Sequence, residues 1–132
     1  MNNLRGRRGF TLIEMIIVFT MIGILVGLAL PQFKNAAKKA RESTLKEDLT
    51  ILRKLIDQYF TDKTKYPASL QALVDEKYLR KIPVDPMTGS ADWGIRSMKD
   101  DLDSKSWGGQ NVFDVYSKSQ GTALDGTQYG DW

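Results

Sequence analysis

The sequence contains neither cysteine nor histidine. A disulfide framework is therefore excluded, and so is a zinc site built from Cys and His. Ser-His-Asp and Cys-His catalysis fall with them, because the general base is missing. Carboxylate and lysine chemistry remain available. The lack of cysteine does not fix a compartment; it only removes a clue. Proline is scarce, and Pro31 is the only one before Pro67. With 132 residues the chain has material for one domain and not two.

Charge of one sign is missing locally rather than overall. The formal net charge is +3, with 19 Lys and Arg against 16 Asp and Glu. Residues 1–9 hold Arg5, Arg7 and Arg8 and no acid, and without them the two signs balance. Residues 32–65 carry nine basic and five acidic groups, and residues 66–132 carry seven and ten. The basic excess thus sits in a short leader and a central stretch. Nucleic-acid binding needs a concentrated basic face with base-reading or stacking groups, and this distribution does not supply one.

From Phe10 to Leu30 run 21 residues with a single charge, Glu14. At ~1.5 Å rise per residue they cover roughly the ~30 Å of a bilayer core. The stretch is a transmembrane helix candidate. A buried core helix of this length would need a larger domain around it than about 100 residues can build. Mean hydropathy of the whole chain is −0.34, so the remainder reads as a water-soluble domain. A secretory signal has a shorter apolar region followed by small residues at a cleavage site. Here the run is followed by Pro31-Gln32-Phe33-Lys34, and the unusual junction, Arg7-Arg8-Gly9-Phe10, precedes it. Orientation from charge alone is ambiguous. Arg5, Arg7 and Arg8 flank one side, and Lys34, Lys38, Lys39 and Arg41 flank the other.

Glu14 is the anomaly of that segment. A carboxylate in hydrocarbon costs about 2.5–3.5 kcal/mol on insertion scales, which marks such residues as functional candidates. The plainer alternative is that Glu14, near the start of the span, reaches the interface. Gly23 and Gly27 form a G-x-x-x-G pair, a signature of close helix packing, although glycine is common in membrane helices anyway. Alternatively, Gly23, Gly27 and Pro31 weaken the helix, since Pro31 lacks an N–H and crowds the carbonyl of Gly27.

Past the span, Leu45, Leu49, Leu52, Ile56 and Tyr59 recur at helical spacing, and Phe33, Ala36, Ala37 and Ala40 extend that face. The pattern predicts one nearly continuous helix from about Phe10 to about Tyr59, roughly 75 Å long. The Lys34–Arg41 cluster reads as a solvated face, or as a surface for anionic lipid or an acidic neighbour. Helix aromatics such as Phe10, Phe19, Phe33, Tyr59 and Phe60 read as packing groups. Ser69 is a plausible N-cap for a short helix with Leu70, Leu73, Val74 and Tyr78 on one face. Pro83, Pro86 and Gly89 mark a turn-rich loop. Asp92–Met98 and Val112–Ser117 are strand candidates separated by a polar loop. The tail 118–132 has little periodicity; Tyr129 and Trp132 are its candidate anchors, or a metal organises it through hard oxygen ligands.

Gly9-Phe10-Thr11-Leu12-Ile13-Glu14, after a basic leader and before a long apolar helix, resembles the class III signal of type IV pilins and type II secretion pseudopilins. Pro31 also falls where that family commonly has proline. The resemblance implies an α+β, type IV pilin-like fold, in which a long N-terminal helix with a membrane-spanning first half packs on a small antiparallel β-sheet head. It implies a leader 1–9, a membrane or filament-core helix 10–30, an amphipathic continuation 31–60 and a periplasmic head 61–132. It implies that a prepilin peptidase cuts between Gly9 and Phe10 on the cytoplasmic side and methylates Phe10. Glu14 would then pair with the Phe10 amine of a staggered neighbour, compensating two charges that are each costly alone in an apolar core. Gly23, Gly27 and Pro31 would serve assembly, and a locally extended helix is expected there in filaments.

The head narrows the likeness. Thr61-Asp62, Tyr66-Pro67, Leu70, Leu73, Pro83-x-Asp85-Pro86, Phe113-Asp114-Val115-Tyr116-Ser117 and Gly130-Asp131-Trp132 resemble, in that order, the component-G major pseudopilin family of type II secretion. The cysteine pair that typical type IVa pilins use to close a C-terminal loop is absent. Many component-G proteins bind calcium after a Y-S-L-G-A-D-G run. This chain has Tyr116-Ser117-Lys118-Ser119-Gln120-Gly121 instead, without the aspartate, which leaves Ser117, Asp125 and Asp131 as candidate calcium ligands. The implied function is a non-enzymatic, structural subunit of a periplasmic pseudopilus that drives secretion of folded proteins across the outer membrane. Its implied partners are copies of itself, the prepilin peptidase, an inner-membrane assembly platform, minor pseudopilins and, before assembly, membrane lipid. Alternatives are a type IV pilus subunit or minor pilin, and a single-pass anchored binding protein. An anchored enzyme built on Asp100, Asp101 and Asp103 competes with a plain polar loop, and no base or phosphate-cradling motif accompanies them.

Overall fold

In the computed structural model, residues 9–97 and 111–132 are described. Helix α1 runs Leu12–Lys63, α2 runs Leu70–Asp75, strand β1 Gly94–Arg96, strand β2 Asp114–Tyr116, and a 3-10 turn covers Tyr129–Asp131. The chain divides into two compact units, one ending at Ala37 and the other running Lys38–Trp132.

In the first unit, Thr11 opens α1. Its hydroxyl accepts from the Glu14 N–H at 3.3 Å and its carbonyl accepts from the Met15 N–H at 3.2 Å, covering amides that lack intrahelical partners. Helical assignment continues through Gly23, Gly27 and Pro31 in the single chain. Large apolar side chains here face outward; Leu12 is 80% exposed and Leu28 70%. The helix contains a span long and apolar enough to cross a membrane, and none of that span is buried.

The second unit is built on the rest of α1. Its buried positions are Glu42, Leu45, Leu49, Leu52, Ile56 and Tyr59, one stripe at alternating spacings of three and four. Against it lie Leu70 and Leu73 of α2, Trp93, Val112, Val115 of β2, Ala123 and Tyr129, which together form the core. Tyr59 and Tyr78 rings meet at 5.3 Å, and Phe60 stacks on Tyr66 at 4.5 Å.

Ser69 caps α2 as expected, its side chain accepting from the Ala72 N–H at 3.3 Å. The helix is shorter than the pattern predicts and stops before Tyr78. Lys77 takes a left-handed conformation (φ 65°), and the amides of Tyr78 and Leu79 both turn back to the Leu73 carbonyl. Tyr78 instead donates its hydroxyl to Asp62 at 2.8 Å.

The two strands pair antiparallel, with Gly94 opposite Tyr116, Ile95 opposite Val115 and Arg96 opposite Asp114. Both are shorter than predicted. Before β1, the Ser90 hydroxyl accepts from the Asp92 N–H, holding the chain in a turn. Before β2, the Val112 amide bonds to the Pro67 carbonyl rather than to β1. Met98 lies outside the described residues. Gly94 is required by its neighbour: a Cβ there would overlap the Tyr116 ring. The fold is therefore α+β, with a long N-terminal helix and a small two-stranded antiparallel sheet.

Candidate assembly and processing site

Gly9 and Phe10 precede α1 outside regular structure, and Phe10 is 76% exposed. A Cβ at Gly9 would meet nothing within 4 Å. Among the described residues, nothing packs over the Gly9 Cα. Glu14 lies in the first turn of α1, exposed, where its negative charge complements the helix dipole. It has no ion-pair partner among the described residues. Gly23 and Gly27 likewise face open space. The first unit therefore presents an apolar helix with an uncompensated carboxylate near its start and a bare glycine pair further along. Such a surface is complete only against lipid or other helices. Leader residues Arg5, Arg7 and Arg8 lie outside the described residues, as do Asp100, Asp101 and Asp103.

The candidate calcium ligands are placed differently. Ser117 is buried; its hydroxyl donates to Asp85 Oδ2 at 2.5 Å and accepts from the Ser119 N–H at 3.2 Å. Asp85 is fully buried and also accepts from the Met87 N–H at 2.7 Å, so Ser117 closes a cage around a carboxylate. Asp125 is exposed, and its Oδ1 accepts from both the N–H and the hydroxyl of Thr127, at 3.0 and 2.6 Å. Those two bonds hold its carboxyl below the usual carboxylate range. Asp131 sits exposed in the 3-10 turn. Among the described residues no three carboxylates gather into a group that could hold a metal. Of the three implied ligands, the Ser117 hydroxyl and one oxygen of Asp125 are already bonded within the chain.

Three side chains that the sequence does not link to the tail fasten it. Glu42 of α1 is buried; its Oε1 accepts from the Tyr129 hydroxyl at 2.8 Å and from the Leu124 N–H at 2.9 Å. With burial, that carboxylate pushes the Tyr129 phenol up to about 12. Arg53 reaches Asp114 Oδ1 at 2.7 Å and the carbonyls of Val115 and Trp132 at 3.1 and 2.6 Å. Lys38 donates to the Thr122 carbonyl at 2.7 Å. One signal was present: Glu42 lies three residues before Leu45, on the apolar stripe, where a carboxylate needs a buried partner.

Comparison with known proteins bears on both ends of the chain. Residues 4–30 match the family described as "Prokaryotic N-terminal methylation motif". Type II secretion system core protein G of Aeromonas hydrophila is 31% identical over 62% of this chain and 68% of its own length. The chain belongs to the type II secretion system core protein G family. Core protein G of Klebsiella michiganensis is 29% identical over 97% of this chain and 94% of its own length, and that of Pseudomonas aeruginosa is 29% identical over 97% and 96%. No solved structure matches the chain. The methylation-motif match contains Gly9, Phe10, Glu14, Gly23 and Gly27, so this chain carries the motif on the stretch whose apolar side chains are exposed.

Proposed function

We propose that this chain is a structural, non-enzymatic subunit of a periplasmic pseudopilus that drives type II secretion of folded proteins across the outer membrane. The observation that carries the reading is the Gly9–Phe10 junction and Glu14 at the head of an apolar, outward-facing helix, in a chain similar along nearly its whole length to core protein G. The precursor sits in the inner membrane with its N-terminus in the cytoplasm and its head in the periplasm. A prepilin peptidase cuts after Gly9 and methylates the new Phe10 terminus. An assembly platform then moves the helix from lipid into a bundle of identical helices. Identical contacts that do not close produce a fibre of copies of this chain, with minor pseudopilins as companions.

Glu14 sets the stagger. Its charge costs about 2.5–3.5 kcal/mol in hydrocarbon, and the Phe10 amine of a neighbour supplies the compensating charge at one axial offset only. Gly23 and Gly27 let neighbouring backbones approach, and Pro31, having no N–H, lowers the cost of extending the helix near it.

The test is complementation of a secretion-competent strain lacking its own core protein G, read by filament formation and by release of secreted protein. The wild-type chain is expected to restore both. Glu14→Ala is expected to insert and be cleaved normally but to leave filaments at least tenfold scarcer, a loss of about 1.4 kcal/mol or more in the assembly step. Normal filaments from Glu14→Ala would remove the pairing. Long surface fibres without secretion would move the chain to the type IV pilus class.

A further inference from the structure

The tail of the head, residues 117–132, carries only one isolated bridge, Thr122 to Gln128, and one 3-10 turn. Something must hold it. Calcium held by loop oxygens would need carboxylates and carbonyls free to converge. Here eight main-chain oxygens of the tail, those of Gly121, Thr122, Ala123, Thr127, Gln128, Tyr129, Gly130 and Trp132, are engaged by donors of the chain itself. Gly121, Ala123 and Tyr129 accept from amides within the tail. The Thr122, Gly130 and Trp132 carbonyls accept from cations: Lys38 at 2.7 Å, Arg96 at 3.2 Å and Arg53 at 2.6 Å.

Charge strengthens the point. A dication competing for those three oxygens must displace an ammonium or guanidinium group and then sit beside it. Lys46 adds a further cation, its Nζ lying 4.3 Å from the centre of the Trp132 ring. Lys118 stands at the position after Ser117 and pairs with Asp92, 2.8 Å from both carboxylate oxygens. Asp125, one of the two tail aspartates, is held by Thr127 through one carboxylate oxygen.

We infer that the C-terminal tail is fastened by protein cations and not by calcium: Lys38 and Arg53 of α1 and Arg96 of β1 each donate to a tail carbonyl and distribute among three fixed sites the positive charge that a metal ion would concentrate at one. The head of this chain accordingly keeps its tail in place whatever the calcium concentration around it. This holds whether or not the subunit polymerises.

The experiment is hydrogen exchange on the full chain in detergent micelles, followed at the amides of residues 118–132, in millimolar calcium chloride and in EGTA. Wild-type exchange is expected to be the same in both, within twofold. Lys38→Met and Arg53→Met are each expected to speed tail exchange about tenfold, as expected for losing a charged hydrogen bond, while α2 amides stay unchanged. Lys38→Arg, which keeps a donor at that carbonyl, is expected to restore protection. Tenfold protection of the wild-type tail by calcium, or calcium binding in titration calorimetry, overturns the inference. So does unchanged tail exchange in Lys38→Met, a largely surface substitution that the fold can absorb even if Arg53→Met unfolds.

Discussion

Removing Glu42 tests how the tail and the long helix hold each other. Its Oε1 accepts two bonds, at 2.8 Å from the buried Tyr129 hydroxyl and at 2.9 Å from the Leu124 amide. Bonds to a charged acceptor contribute about 1.5–3 kcal/mol each, but neighbouring bonds do not add. The Leu124 amide lies beside an exposed side chain and can turn to water; the Tyr129 hydroxyl cannot. Glu42→Ala should therefore cost about 2–4 kcal/mol, most of it from the orphaned hydroxyl. For a head of this size that lowers the thermal midpoint by on the order of 10 °C or more. Glu42→Gln keeps a carbonyl that can accept both bonds and should cost about 1 kcal/mol or less. The assay is thermal unfolding of the full chain in micelles, followed by near-ultraviolet circular dichroism of Trp93 and Trp132. In a Tyr129→Phe background, Glu42→Ala should cost markedly less, because no hydroxyl is left unpaired. A Glu42→Ala protein within about 0.5 kcal/mol of wild type, or strictly additive single and double variants, would refute the reasoning.

Gly94→Ala pushes a methyl into the Tyr116 ring, which itself lies under the Arg96 guanidinium, and should destabilise the head by about 1–3 kcal/mol; the pairing with Tyr116→Ala should relieve it, as denaturant midpoints would reveal. The Tyr129 phenol, pushed from 10.0 to about 12 by burial and by Glu42, favours the fold below pH 10 and loses that contribution as pH rises from 10 towards 12. Alkaline unfolding is expected in that window, and the Tyr129 titration should move back towards 10 in Glu42→Gln; ultraviolet phenolate absorbance checks both. Asp125 works in the opposite sense. Its carboxyl lies below 3.8, so the Thr127 turn is supported above that pH and released as pH falls through the lower folded value, which exchange at the Thr127 amide would register.

Much of this molecule is legible in the order of its residues, for physical reasons that differ along the chain. The spacing of Leu45, Leu49, Leu52, Ile56 and Tyr59 dictates one buried stripe, and those residues are buried. Ser69 advertises its cap because only a short hydroxyl or carboxyl side chain can reach the third amide of the helix. The Gly9 to Glu14 run is read through its resemblance to the class III signal, and Glu14 stands out within it because a charge in an apolar span is costly. Strand length was harder to see. The Thr88 and Ser90 hydroxyls accept from the Ser90 and Asp92 amides and hold the approach to β1 in turns, a local competition that alternation of apolar residues does not reveal. Tail anchoring was half visible: Tyr129 and Trp132 do pack, with rings at 5.1 Å, but Lys38 and Arg53 lie far away in sequence and look like ordinary surface cations. The opposed charges of residues 32–65 and 66–132 acquire a meaning here. Part of that complement is met inside the chain, by Arg53 with Asp114 and by Lys63 with Glu76. Ser117 and Asp125, chosen for their oxygens, are engaged by Asp85 and Thr127 instead.

The central claim is that the apolar helix becomes the core of a filament after its leader is removed. Intact mass and N-terminal sequencing of the chain, expressed with and without a prepilin peptidase, test it most directly. The account predicts loss of residues 1–9 and one methyl group on Phe10, only when the peptidase is present. A chain that keeps its first nine residues beside a peptidase shown to be active on another substrate would contradict it, and would leave the head as a domain anchored by an ordinary membrane helix.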